Sequence, residues 1–138
     1  MHLKTTYNLR LGKKFAHLNT DNLISEVEQG LEDFVWNKVI AKGQEYPPVP
    51  DGSKYERTER LKYSYKFDKT RTTARRFVLD LYNDATDAWG REYAKYVIGP
   101  SQTWFHKAHG WIDLADYFQN IRKTMLADIR AILNKHLD

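Results

Sequence analysis

Apolar and polar positions alternate near the start of the chain. Leu3, Thr5, Tyr7, Leu9 and Leu11 fall on one face, and Lys4, Thr6, Asn8 and Arg10 on the other. A period of two predicts a strand half buried against a core. The period then lengthens: Leu23, Val27, Leu31, Phe34, Val35 and Val39 recur at the spacings of one helical stripe. Thr20 or Asp21 can cap this helix by accepting a hydrogen bond from a free backbone N–H. Gly43 and the prolines beyond it end the helix. Gly30 inside it costs about 1 kcal/mol relative to alanine, which points to a close contact there.

Residues 43–58 form the main loop. Pro47, Pro48 and Pro50 favour a stiff, extended path, and Asp51-Gly52 is a turn signal. Loops of this length without their own structure are often functional. Alternation then returns, with Leu61, Tyr63, Tyr65 and Phe67 opposite Lys62, Ser64, Lys66 and Asp68. A polar connection from Lys69 to Ala74 leads to Phe77, Leu79 and Leu81, so residues 59–83 read as a long antiparallel hairpin. Asn83 to Asp87 is expected as a turn, and Glu92 to Ile98 as a short element before Gly99-Pro100. Over residues 113–137, Leu114, Tyr117, Phe118, Ile121, Met125, Ile129, Ile132 and Leu133 keep the helical period. Asp113 sits at the N-cap and Asp116 in the first turn, where a carboxylate suits the helix dipole. The pattern gives an α+β domain. A small antiparallel sheet with a long hairpin packs against a helix in the N-terminal half and a long C-terminal helix.

Composition narrows the class. A chain of 138 residues fits one domain, residues 1–138, and four Trp, nine Tyr and six Phe argue against disorder. The absence of cysteine excludes a disulfide scaffold and thiolate metal sites. No apolar run approaches the roughly 20 residues of a membrane span, and the first residues lack a secretory apolar segment. These features predict a soluble protein made in the cytoplasm, with no membrane partner. The net charge of +4 speaks to nonspecific attraction alone, with one basic concentration at Lys66, Lys69, Arg71, Arg75 and Arg76.

Candidate chemistry is sparse. No serine lies in a Gly-x-Ser-x-Gly elbow, and Gly52-Ser53-Lys54 lacks the upstream glycine spacing of a phosphate-binding loop. His106 and His109 could share a metal, with Asp113 as the nearest carboxylate, but no second ligand pair supports it. The plainer reading places both histidines in a polar loop beside Trp104 and Trp111. The basic segment next to Tyr63, Tyr65 and Phe67 suggests a single-strand-binding sheet, yet those aromatics lie opposite Lys62 and Lys66. No catalytic residue, cofactor or metal set is expected.

One constellation is specific as a whole. Tyr46-Pro47-Pro48-x-Pro50-x-Gly52-Ser53-x-Tyr55-x-Arg57-Thr58-x-x-Leu61-x-x-Ser64-Tyr65 is followed by Tyr93-Ala94-x-Tyr96-Val97-x-Gly99, then Gln102, His106 and Gly110-Trp111. The order and spacing over residues 20–137 resemble the tail-completion, or head–tail joining, proteins of long-tailed bacteriophages. Glu59 stands where that family usually has glycine, which leaves a left-handed turn there open. Residues 1–19 have no counterpart and read as an extra edge strand. The resemblance implies a structural virion protein of the neck, made in the host cytoplasm, without catalysis or cofactor. It implies a ring of copies of itself, commonly a hexamer in that family, between connector and tail-terminator or tail-tube proteins, with DNA only as passing cargo. Tyr46, Pro47, Pro48, Tyr55, Arg57, Lys69, Arg71, Trp104 and Trp111 are the candidate interface residues. A basic nucleic-acid-binding module is the alternative.

Overall fold

The computed structural model describes residues 1–9, 20–49, 51, 59–73 and 76–136. Strand β1 (His2–Asn8) is followed by helix α1 (Thr20–Phe34), which runs through a π-helical stretch, Val35–Ile40, into the short α2 (Ala41–Gly43). A helical turn α3 (Arg60–Tyr63) precedes β2 (Tyr65–Thr73) and β3 (Arg76–Asn83). Two short helices, α4 (Ala94–Val97) and α5 (Trp104–Ala108), lead to the long α6 (Leu114–Lys135). The three strands form an antiparallel sheet in the order β1-β3-β2, so β1 is an edge strand beside the centre of the sheet.

Alternation decides which face of the sheet is covered. Phe77, Leu79 and Leu81 of β3 are buried and pack in one cluster with Leu31, Val35 and Val39 of the first helical run. Phe118, Met125 and Ile129 of α6 complete that cluster. In β1, Leu3, Thr5 and Tyr7 are half buried while their neighbours are exposed, as period two requires. The Tyr7 hydroxyl donates to Met125 Sδ at 3.7 Å, tying the edge strand to α6.

The π-helical stretch keeps a single buried stripe. Phe34 and Val35 are buried, and so are Val39 and Ile40 five residues on. An i→i+5 turn brings residues at that spacing onto one face. A Cβ placed on Gly30 would lie 2.6 Å from Ile132 Cδ1 of α6, so the glycine allows α1 and α6 to approach closely. Gly43 serves Tyr65 in the same way, since a Cβ there would meet the Tyr65 hydroxyl at 2.4 Å. Asp113 caps α6 as expected, accepting from the Asp116 N–H.

The hairpin departs from its expected limits at both ends. Residues 61–63 are a helical turn, and Tyr63 is 74% exposed instead of sharing the buried face of Leu61 and Tyr65. Pairing stops at Tyr65↔Asn83 because the partner chain turns away, the Ala85 N–H closing onto Asn83 Oδ1. The Leu61 and Lys62 carbonyls accept from Asn83 Nδ2 and Gln44 Nε2 instead of from a strand. Glu59 starts the turn at φ 62°, so the left-handed conformation persists without glycine. At the other end, Lys69 to Thr73 continue β2 and are not a loop, with a register shift between Arg71 and Thr73. The central β3 offers backbone partners throughout, and Lys69 and Arg71 are tolerated opposite Leu79 and Phe77 because Glu32 and Glu28 of α1 pair with them. Residues 10–19 and the tip at 74 and 75 lie outside the described residues, as does the loop at 50 and 52–58.

Asn83 is a buried strand residue, not the first of a turn. Its side chain donates to the Leu61 carbonyl at 2.8 Å and accepts from the Ala85 N–H at 3.0 Å. Its backbone exchanges hydrogen bonds with Met1. One residue therefore joins β1, the α3 turn and the end of β3.

Candidate assembly surface

Several of the residues that carry the motif meet in space. Tyr46 leaves the first helical run and packs its ring against Trp111, with centroids 4.9 Å apart and planes tilted by 53°. Pro47 lies beside Gly110, where an added Cβ would sit 3.7 Å from Pro47 Cβ. Gln102 is the fastener beneath them. Its Nε2 donates to the carbonyls of Val97, Trp111 and Ile112, at 2.8, 3.0 and 3.2 Å. The Leu114 N–H donates to Ile98 O at 2.7 Å, which anchors α4 to the start of α6. Tyr46 and Trp111 are thus half-buried supports of a platform, while Pro48 is exposed.

His106 lies in the short helix α5 and His109 is its C-cap residue, so the pair brackets a helical turn and not a polar loop. Thr103 caps α5, and its hydroxyl shares a 2.6 Å hydrogen bond with His106 Nδ1. His109 Nδ1 donates to the Phe105 carbonyl at 2.7 Å, and the His109 ring stacks on Phe105. Burial, then the nearby His109, hold His106 below the ordinary imidazole range. Among the described residues no group of three His, Asp or Glu side chains is placed to hold a metal ion. His106 meets Trp111 edge to face at 5.9 Å. Trp104 does not join that packing and stands 79% exposed.

The remaining candidates are dispersed. Lys69 reaches Glu32 of α1 at 2.8 Å, and Arg71 reaches Glu28 at 2.9 Å while lying over the Phe77 ring. Lys66 pairs with Asp84, which lowers the Asp84 carboxyl through that hydrogen bond and raises the lysine. These three cations of the basic segment therefore carry carboxylate partners and strap β2 to its surroundings. On the outer face of the sheet, His2 Nδ1 donates to Asp80 Oδ2 at 2.8 Å. Tyr55 and Arg57 fall outside the described residues.

Sequence reasoning passed over the exposed aromatics Phe105, Tyr96 and Trp89. One signal was available: Tyr93 to Ile112 contains Lys95, Lys107, His106 and His109 but no acid. Lys95 Nζ lies over the Tyr96 ring at 4.9 Å, so cation and aromatic share that surface. Among the described residues no helix is long and apolar enough to cross a membrane. No family model, curated protein or solved structure matches the chain.

Proposed function

We propose that this chain is a structural virion protein that forms a ring at the neck of a long-tailed bacteriophage, joining the head connector to the tail tube. The observation that carries the reading is the convergence of its motif residues. Tyr46, Pro47, Gln102, Gly110 and Trp111, remote in sequence, build one platform at the start of α6. Such a platform fixes Tyr46 and Pro47 against the segment between α5 and α6, as a stoichiometric contact surface requires. The role is scaffolding, without turnover or cofactor. The basic nucleic-acid-binding alternative has less support, because Lys66, Lys69 and Arg71 already face carboxylates.

Electron microscopy of particles made without the gene tests the role. Filled heads and finished tails that fail to join are expected. Normal tailed particles in wild-type numbers would overturn it. A nanomolar, sequence-selective DNA complex at physiological salt would promote the alternative, and its salt dependence would report the phosphates engaged.

A further inference from the structure

Two surfaces of this chain are complementary to each other and do not meet within one copy. The first is the α5 knob. Trp104 is 79% exposed, without a ring or cation partner among the described residues. Phe105 beside it is half exposed and held in place by stacking on His109 at 4.1 Å. Lys107 follows in the same helix, within a stretch from Tyr93 to Ile112 that contains no carboxylate.

The second surface is a groove of about 340 Å³ between α1 and α6. Gly30, Phe34 and Ile132 line it, with the carboxylates of Asp33 and Asp128, and Lys38 also contributes. Its volume sits at the low end of the range for binding pockets, about 300–1,000 Å³, and suits a large aromatic side chain. Among the described residues Asp33 accepts from Gln29 Nε2, at 2.9 Å, and neither aspartate has an ion pair. An apolar groove flanked by carboxylates matches an aromatic knob flanked by a lysine.

The geometry separates the two. Leu114 and Gln102 tie α4 and α5 to the start of α6. Asp128 lies fourteen residues further along the same helix, about 21 Å at 1.5 Å per residue. Trp104 is 79% exposed, so it does not fill the groove of its own copy. The occupant must come from a second copy, and a knob entering a groove elsewhere on the molecule makes a head-to-tail contact that can close into a ring.

We infer that copies of this chain associate head to tail, with the Trp104–Lys107 knob of one seated in the α1–α6 groove of the next. The inference deepens the ring reading and rests on it for the identity of the partner.

The chain has no cysteine, so engineered pairs can trap the contact. Ala108→Cys and Ala127→Cys are both exposed, and neither residue belongs to the Trp104–Lys107 knob or lines the groove. A short bis-maleimide on concentrated protein carrying both substitutions should give dimers, trimers and larger species. Adding Trp104→Ala should cut the cross-linked fraction about tenfold or more, as loss of a buried tryptophan anchor does. Asp128→Lys should weaken the ladder, and Lys107→Glu on that background should restore it. A ladder insensitive to Trp104→Ala, one that stops at dimers, or no cross-linking at all overturns the inference. Particles separate this failure from that of the ring reading. If deletion of the gene blocks joining while Trp104→Ala joins normally, the ring closes through another face and only the inference falls. If deletion leaves joining intact, the neck role falls, and the ladder alone decides the head-to-tail contact.

Discussion

Replacing Asn83 by alanine removes a donor and an acceptor at a position with no solvent exposure. The Leu61 carbonyl and the Ala85 N–H lose their partners together. Each buried group left unpaired costs about 1–3 kcal/mol, so Asn83→Ala should cost about 2–6 kcal/mol. That is a large share of the roughly 5–15 kcal/mol that holds a domain folded. Asn83→Asp supplies a sharper test. It keeps the acceptor for Ala85 but turns a carboxylate toward the Leu61 carbonyl, and burial raises the pKa of the introduced carboxyl. Unfolded, that carboxyl titrates near about 3.9. Between that value and its raised folded value the native state binds more protons, so stability falls as pH rises. The gap to the parent should be wide at neutral pH and narrow toward pH 4, where the protonated group can donate to Leu61. Urea unfolding followed by circular dichroism at both pH values measures it, with the exposed Asn120→Ala as comparison, expected within about 0.5 kcal/mol of the parent. A cost for Asn83→Ala below about 1 kcal/mol, or a pH-independent gap for Asn83→Asp, would mean that the junction is not held by these bonds.

Three further outcomes are expected. Tyr65→Asp should cost about 3 kcal/mol or more, because it buries an unpaired charge, whereas Lys66→Asp should cost about 1 kcal/mol or less; equal losses in chemical denaturation would refute the strand register. Glu59→Gly should raise the melting stability by up to about 1 kcal/mol, since left-handed backbone is free for glycine while the 3.7 Å ion pair to Lys62 is exposed; marked destabilisation would exclude that backbone. His106, held below the ordinary imidazole range by burial and then by His109, leaves the unfolded state with more protons bound as pH falls through about 6.5. Stability should therefore be full above that pH and decline below it, and melts of the parent and His106→Gln across pH 5–7.5 should converge in acid.

Periodicity carried much of the architecture. The stripes from Leu23 to Val39 and from Leu114 to Leu133 specify helices because burial of one face repeats every turn, and the cap at Asp113 is a local interaction legible from neighbours alone. The alternation in β1 and β3 likewise names their buried faces. The close contact at Gly30 was also readable, because a glycine inside a helix needs a reason. What sequence could not supply were interactions between distant segments. Tyr63 shares the alternation of its neighbours yet is exposed, because β3 turns away at Asn83 and leaves it no partner. Lys69 and Arg71 look like loop residues and are strand residues, since the central strand pairs with them and α1 supplies their carboxylates. The candidate surface divides in the same way. Tyr46 and Trp111 are both aromatic residues of apparent loops, and only tertiary packing decides that they support each other while Trp104 faces solvent. A residue's type and spacing determine what it can bury, but the path of the rest of the chain determines whether anything arrives to cover it.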